Sequence, residues 1–190
     1  KKLDNFFDHY LVHTGQNYDY ELNQIFFKDL NIRKPDYFLS SKSKNSINTI
    51  AKIFVKFDLI CEKIKPDAVV ILGDTNSSLA AIVANKKKIP IFHIEAGNRC
   101  FNRDTPEELN RKLVDHTSDI NLTYTQIAKD YLIKEGIPGD KIIKVGSPML
   151  EILNHFDSKI NKSKILQKLR LIEKNYILVS MHREENVDNK

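Results

Sequence analysis

At 190 residues the chain is long enough to bury a substantial core, and 41% hydrophobic with 29% charged residues is the make-up of an ordinary globular protein. Its net charge of +5 comes from scattered Lys, without the basic arm or basic–aromatic interleaving that nucleic-acid binding uses. No apolar run reaches the ~18 residues of a membrane span and no signal peptide opens the chain, so Cys61 and Cys100 read as reduced thiols of a cytoplasmic protein.

"KKLDNFFDHYLVHTG" runs a polar helical end straight into a strand, as if the chain were entered in mid-element. Six short apolar runs follow the pattern of strands covered on both faces: 10–14, 68–73, 89–94, 120–124, 141–146 and 176–181. Helical patterns separate them at 19–30, 44–64, 76–87, 106–117, 126–135 and 148–155. In the second, Ile50, Ile53, Phe54, Phe57, Ile60, Cys61 and Ile64 form one amphipathic stripe, and Pro66 ends it. Asn76, Ser77 and Ser78 supply capping chemistry ahead of "LAAIVA". Strand–helix alternation predicts right-handed crossovers and an α/β fold with a doubly wound parallel sheet. The Lys- and Asn-rich stretch 156–175, with a helix near 162–170, reads as a junction, and "NYILVSMHREENVDNK" as the opening strand of something new. Both ends read as those of a piece of a longer protein.

In open α/β sheets ligands sit outside the carboxyl ends of the strands. The strand ends here deliver "TGQNYD", "GDTNSS", "HIEAGNRC", "TYTQ", "VGSP" and "MHREEN", all polar. Of the 30 basic residues only 6 are Arg, yet Arg99, Arg103 and Arg111 fall together after the 89–94 strand. Their planar forks suit bidentate capture of an anion, which makes Arg99 and Arg111 candidates for holding an anionic substrate. Glu95, leaving a strand into Ala-Gly, is a candidate acid or base; a structural ion pair to Arg99 or Arg111 is the alternative. Asp74 in "GDTNSS" is either part of the same rim or a helix cap. Pro106 with Glu107 and Glu108 suits a helix start, but Arg111, Asp115 and His116 at one-turn spacings go beyond that. His93, Glu95, Asp115 and His116 could ligate metal, although no paired His spacing supports it. His182 and Arg183 follow the last strand, as phosphate contacts, acid–base groups or a solvated turn. Neither GxxxxGK[ST] nor GxGxxG occurs.

Together "HTGQNYD", "PDAVVILGDTNSSLAA", "IPIFHIEAGNRCF", "PEELNRKLVDHTSDI" and "SMHREEN" resemble, in order and spacing, the non-hydrolysing UDP-N-acetylglucosamine 2-epimerase family, over Tyr10 to Asn186. "GNRCF" and "NRKLVDHTSDIN" lean towards its capsule and O-antigen branch, which handles UDP-2-acetamido-2,6-dideoxy-L-talose and UDP-diacetamido uronic acids. The resemblance implies a first Rossmann-like domain over 1–165 of a GT-B-type two-domain enzyme, and a linker and first strand of a UDP-binding domain over 166–190. The family's initial strand with its "GTRPE"-like loop and most of the second domain fall outside the chain, so the piece alone is not expected to turn over substrate. The reaction it implies removes the sugar C2 proton, expels UDP and re-adds it with protonation on the other face, without metal or organic cofactor. It assigns catalytic roles to Asp74, Glu95, Glu107 and His182, places Arg183 near the diphosphate, and puts Gln16 and Tyr18 in a loop that some members use for a second, regulatory substrate. A UDP-N-acetyl-hexosamine is the implied partner, with a homodimer carried over. A hydrolysing epimerase, a GT-B glycosyltransferase and a catalytically silent nucleotide-sugar-binding module are the alternatives.

Overall fold

The structure, a computed structural model, describes residues 2–16 and 24–180. The chain divides into two compact units, residues 1–146 and 147–190. The division falls at Gly146–Ser147, ahead of the 156–175 stretch that sequence composition marks as a junction.

In the first unit, β1 (Val12–His13) pairs in parallel with β2 (Tyr37–Phe38), a strand too short to leave a sequence signal. Of the predicted helix 19–30 the described part is α1 (Gln24–Asp29). The long α2 (Ser46–Ile64) begins where the Asn45 side chain accepts the Asn48 N–H, and it ends at Lys65 in the left-handed region, just before Pro66. Its buried face carries Thr49, Ile53, Phe57, Ile60 and Cys61; the last four belong to the stripe that the sequence predicts, whose Ile50, Phe54 and Ile64 pack partly buried against the core.

The main sheet runs β3 (Val69–Leu72), β4 (Ile91–Ile94), β5 (Ile120–Thr123), β6 (Ile142–Lys144), all parallel and in chain order. Crossovers are α3 (Ala80–Lys86), α4 (Pro106–Thr117) and α5 (Gln126–Lys134). α5 is capped by the Thr125 hydroxyl, which accepts from the Ala128 N–H at 3.1 Å. The predicted helix 76–87 starts differently. Asn76–Leu79 form a 3-10 turn and α3 begins at Ala80 without a side-chain cap. The reason is local. Ser77 Oγ bonds Thr14 Oγ1 at 2.6 Å, Ser78 Oγ donates to the Thr75 carbonyl at 2.6 Å, and Asn76 Oδ1 accepts from Asn110 at 3.2 Å. The capping residues are spent on tying the β3 corner to its neighbours.

Register puts Ile71, His93, Asn121 and Ile142 on one face of the sheet, all buried. Ile71 and Ile91 belong to the principal core with α2 and α3, and Ile142 to a smaller cluster with Ala96, Leu132 and Ile137. Among the described residues of this unit, coverage on both faces does not hold throughout. The opposite face exposes Val70, Leu72 and Ile143 at 48%, 63% and 49%.

In the second unit, α6 (Met149–Asn161) outruns the predicted 148–155, and the helix expected near 162–170 is the single turn α7 (Ile165–Lys168). The strand predicted at 176–181 is corrected. Residues 176–180 form no strand, and Ile177 and Leu178 stand 90% and 86% exposed. A strand is stable only on a ladder partner, and none of the described residues supplies one. Among the described residues no helix is long and apolar enough to cross a membrane.

Candidate functional site

The carboxyl ends of β3 and β4 carry the acids. Gly73 turns the chain at φ +76, and Asp74 follows, half-buried. Glu95 leaves β4 at φ +72, a left-handed conformation that costs a non-glycine residue about 1–3 kcal/mol and recurs at functional sites. Its carboxylate lies over the β3 corner, with Oε2 4.0 Å from the position a Cβ on Gly73 would take. Asn98 donates to Glu95 Oε1 at 3.4 Å.

Helix α4 closes the third side. Pro106 occupies its first turn with Glu107 and Glu108, where carboxylates complement the helix dipole. Glu107 is half-buried, one turn before Arg111 on the same helix face. Arg111 reaches across to Asp74, with Nε at 3.0 Å from Oδ2 and Nη2 on the same oxygen, and its Nη1 donates to Glu108 at 3.0 Å. Burial opposes the Arg111 charge, but these two carboxylates more than offset it and hold the guanidinium above its ordinary value. Asp74 and Arg111 are thus joined at the β3 corner, Glu95 lies over the adjacent Gly73, and Glu107 stands one turn before Arg111 on α4. Asn110 Nδ2, donating to Asn76, adds a second tie between α4 and the β3 corner.

Arg99 has a different setting. Its side chain has no exposed surface. Nε and Nη2 donate to the two Glu135 oxygens at 2.7 and 2.6 Å, and Nη1 donates to Asp115 Oδ2 at 2.8 Å. Burial works against its charge, and the two carboxylates override that, raising its pKa. Glu135, held by the Arg99 fork, is lowered. Every Arg99 nitrogen therefore faces protein, whereas Arg103 is exposed.

Sequence reasoning gave Glu108 only a dipole role. It is 2% exposed and accepts the Cys100 N–H at 3.0 Å, the Cys100 thiol at 3.4 Å and Arg111. Burial raises its pKa, but the Cys100 donors and the Lys112 and Arg111 charges bring it below the ordinary carboxylate value. The periodicity 107, 108, 111, 115 on one helix was the signal that could have found it. Tyr124, at the β5 end, is raised by burial and then by the nearby Glu95 charge.

On the β1 side, His13 stacks on Phe38 with ring centroids 5.0 Å apart, and burial lowers its pKa. Gln16 follows, half-buried. Tyr18, His182 and Arg183 lie outside the described residues. The metal reading finds no support in geometry: among the described residues no group of three or more His, Cys, Asp or Glu is placed to hold an ion. His93 and Asp115 are paired with each other instead. A shallow depression lined by Cys61, Lys65, Pro66, Lys87 and Pro90 sits at the amino ends of β3 and β4, away from the acids.

A parallel α/β sheet whose carboxyl edge gathers two acids and a forked arginine defines the class, an open α/β domain of the kind whose ligand sites lie at that edge. The chain belongs to the UDP-N-acetylglucosamine 2-epimerase family, whose match covers residues 1–190. Among solved structures, UDP-N-acetylglucosamine 2-epimerase from Rickettsia bellii is 56% identical with a TM-score of 0.90, over 97% of this chain and 50% of that one. The Methanocaldococcus jannaschii UDP-GlcNAc 2-epimerase, solved in complex with UDP-GlcNAc and UDP, is 37% identical with a TM-score of 0.90, over 98% of this chain and 52% of that one. The UDP-2,3-diacetamido-2,3-dideoxy-D-glucuronate 2-epimerase of Pseudomonas aeruginosa is 38% identical, over 94% of this chain and 50% of its own length. The chain spans about half the length of these relatives.

Proposed function

We propose that the protein to which this chain belongs epimerises a UDP-N-acetyl-hexosamine at C2, and that residues 1–146 supply the acid–base side of its cleft. One observation carries the reading: Asp74, Glu95 and Arg111, distant in sequence, meet at one sheet edge. A carboxylate there removes the C2 proton; the electron pair forms the C1–C2 double bond while the bond from C1 to the diphosphate oxygen breaks. UDP then adds back to C1 as a second acid returns a proton to the opposite face of C2. Two acids on either side of one carbon suit this, since each can act as base in one direction and as acid in the other. Glu107, at the helix start beside Arg111, is the third candidate. Arg111 pairs with Asp74 and, still partly open to solvent, is the guanidinium available to an incoming anion. Arg99 acts through Asp115 and Glu135 rather than on the ligand. By the resemblance, His182 and Arg183 stand near the diphosphate, Gln16 and Tyr18 flank a second substrate loop, and residues 166–190 lead into a UDP-binding domain.

UDP-N-acetylglucosamine is the first substrate to test, and UDP-diacetamido uronic acids the second, since a relative named for such a sugar is 38% identical. A role in surface-polysaccharide precursor synthesis, a cytoplasmic setting and a homodimer belong to the same proposal. The test is a proton NMR time course in deuterated water. Deuterium appearing at C2 while UDP stays attached at equilibrium supports epimerisation. Free sugar plus UDP as the end product would point to a hydrolysing enzyme, and tight UDP-sugar binding without wash-in to a silent module.

A further inference from the structure

Behind the half-buried acids lies a row of charged side chains that the proposed chemistry does not use directly. The side chains of His93 and Asp115 have no exposed surface. The two ring nitrogens of His93 each meet an oxygen: Nδ1 lies 2.8 Å from Asp115 Oδ1, and Nε2 lies 2.9 Å from the Gly73 carbonyl. Neither oxygen has a proton to give. A main-chain carbonyl only accepts, and both Asp115 oxygens are already acceptors, from Arg99 at 2.8 Å and from the Gly97 N–H at 3.3 Å. A neutral imidazole has one N–H and one bare lone pair. Either tautomer would set that lone pair against an oxygen closer than 3 Å, in a ring with no exposed surface.

We infer that His93 is a buried imidazolium whose two N–H groups clamp the Gly73 carbonyl, and with it the Asp74 corner, to the Asp115 carboxylate of α4. Charge balance agrees. From the loop after β4 comes Arg99, from α4 Asp115, and from the end of α5 Glu135; with His93 the signs alternate and cancel. A neutral His93 would leave the row one negative charge in excess. His116, half exposed, touches only the outer member, Glu135, at 3.3 Å. The Gly73 N–H also donates to the Ile94 carbonyl at 3.1 Å, so both sides of this residue are pinned by β4. His93 is therefore a positioning residue: it meets no ligand and acts on Asp74 through one main-chain carbonyl. That role rests on Asp74 being part of the chemistry, whereas the charge state does not.

The experiment uses this chain with 15N-labelled histidine and ring nitrogen–proton correlations at pH 7, where a free imidazole is about one quarter charged. Through-bond correlation from Cβ assigns His93 without a variant. Expected are two protonated ring nitrogens, each with its own slowly exchanging proton; one bare nitrogen overturns the inference. Asp115→Asn offers Nδ1 a donor, so His93 should revert to the neutral form protonated at Nε2 alone, and two retained protons in that variant would refute the pairing. His93→Leu should speed hydrogen exchange at the Gly73 amide, which donates to the Ile94 carbonyl at 3.1 Å, by about tenfold, the scale of one lost buried hydrogen bond. An unchanged rate refutes the clamp, and if that variant does not fold, the Asp115→Asn spectrum still decides. Absence of C2 wash-in in the whole protein to which this chain belongs would defeat the proposed function while leaving these spectra as the test of the clamp.

Discussion

Replacing Arg99 with Met separates a structural guanidinium from a ligand-binding one. Met keeps much of the apolar stem and removes the fork. Glu135 is 27% exposed and regains water, so its loss counts for little. Asp115 has no exposed surface and loses one donor, retaining His93 and the Gly97 N–H. Removing one partner of a buried pair costs about 3–5 kcal/mol, and the donors that remain place Arg99→Met near the lower end, about 3 kcal/mol. Across a unit of residues 1–146, at ~2–4 °C per kcal/mol for this size class, Tm should fall by about 6–12 °C. Urea unfolding followed by circular dichroism measures the free-energy loss, and calorimetry the shift in Tm. Arg99→Lys, which keeps the charge but not the fork, should recover only part of it. A loss below about 1 kcal/mol would refute the reasoning, since it would put Arg99 among residues whose cost is that of a surface pair.

Other substitutions follow from the same geometry. Asp74→Asn, Glu95→Gln and Glu107→Gln should each slow deuterium wash-in at C2 by roughly a hundred- to ten-thousand-fold, the range for a lost acid–base group, with far-UV circular dichroism unchanged. Gly97→Ala should prevent folding of the first unit: at φ +80 its Cβ would lie 2.4 Å from the Ala128 carbonyl oxygen, which soluble expression and thermal melting would reveal. The pH dependence has two windows of the same sign. Burial lowers His13, and Nδ1 accepts the Gly15 N–H at 3.1 Å, so the unfolded chain binds the proton more readily than the folded one. Stability from neutral His13 is present above about pH 6.5 and declines as pH falls from there through the folded value. His13→Phe should remove that slope. Glu135 is lowered by Arg99, so its contribution is present above its ordinary 4.5 and is lost only at lower pH, as acid titrates through the folded value. Urea midpoints measured from neutral to acid pH resolve the two.

Long elements with a strong period were legible. The α2 stripe and the α4 bounds at Pro106 and Thr117 are where helical spacing and a first-turn proline put them. Misjudged elements share a cause, the reading of local chemistry without knowledge of the partner. Asn76, Ser77 and Ser78 are good capping residues, yet tertiary partners just after β1 and in α4 claim two of the three side chains. The run 176–181 has the composition of a strand, but composition cannot supply a ladder. β2 is two residues long and holds by pairing with β1 and by the stacking of Phe38 on His13, neither of which leaves a period in the sequence.

The arginine cluster shows why composition can single out a stretch of chain while burial sorts its members. Enrichment of Arg over Lys between residues 99 and 111 marks a place where forked, permanent charge is needed, and there are two needs in that one stretch. At Arg111 the fork spans from α4 to Asp74 at the sheet edge, still partly open to solvent. At Arg99 it joins Asp115 to Glu135 in a row that ends on His93 and so on the carbonyl before Asp74. Both arginines converge on the same aspartate from opposite sides, one through its carboxylate and one through its backbone. Only burial distinguishes them, and burial depends on Asp115 and Glu135, which stand 16 and 36 residues away in the chain. If Arg99→Met lowers stability without changing UDP-sugar affinity and Arg111→Gln does the reverse, the two roles are separate. Equal effects on both quantities would show a single coupled unit.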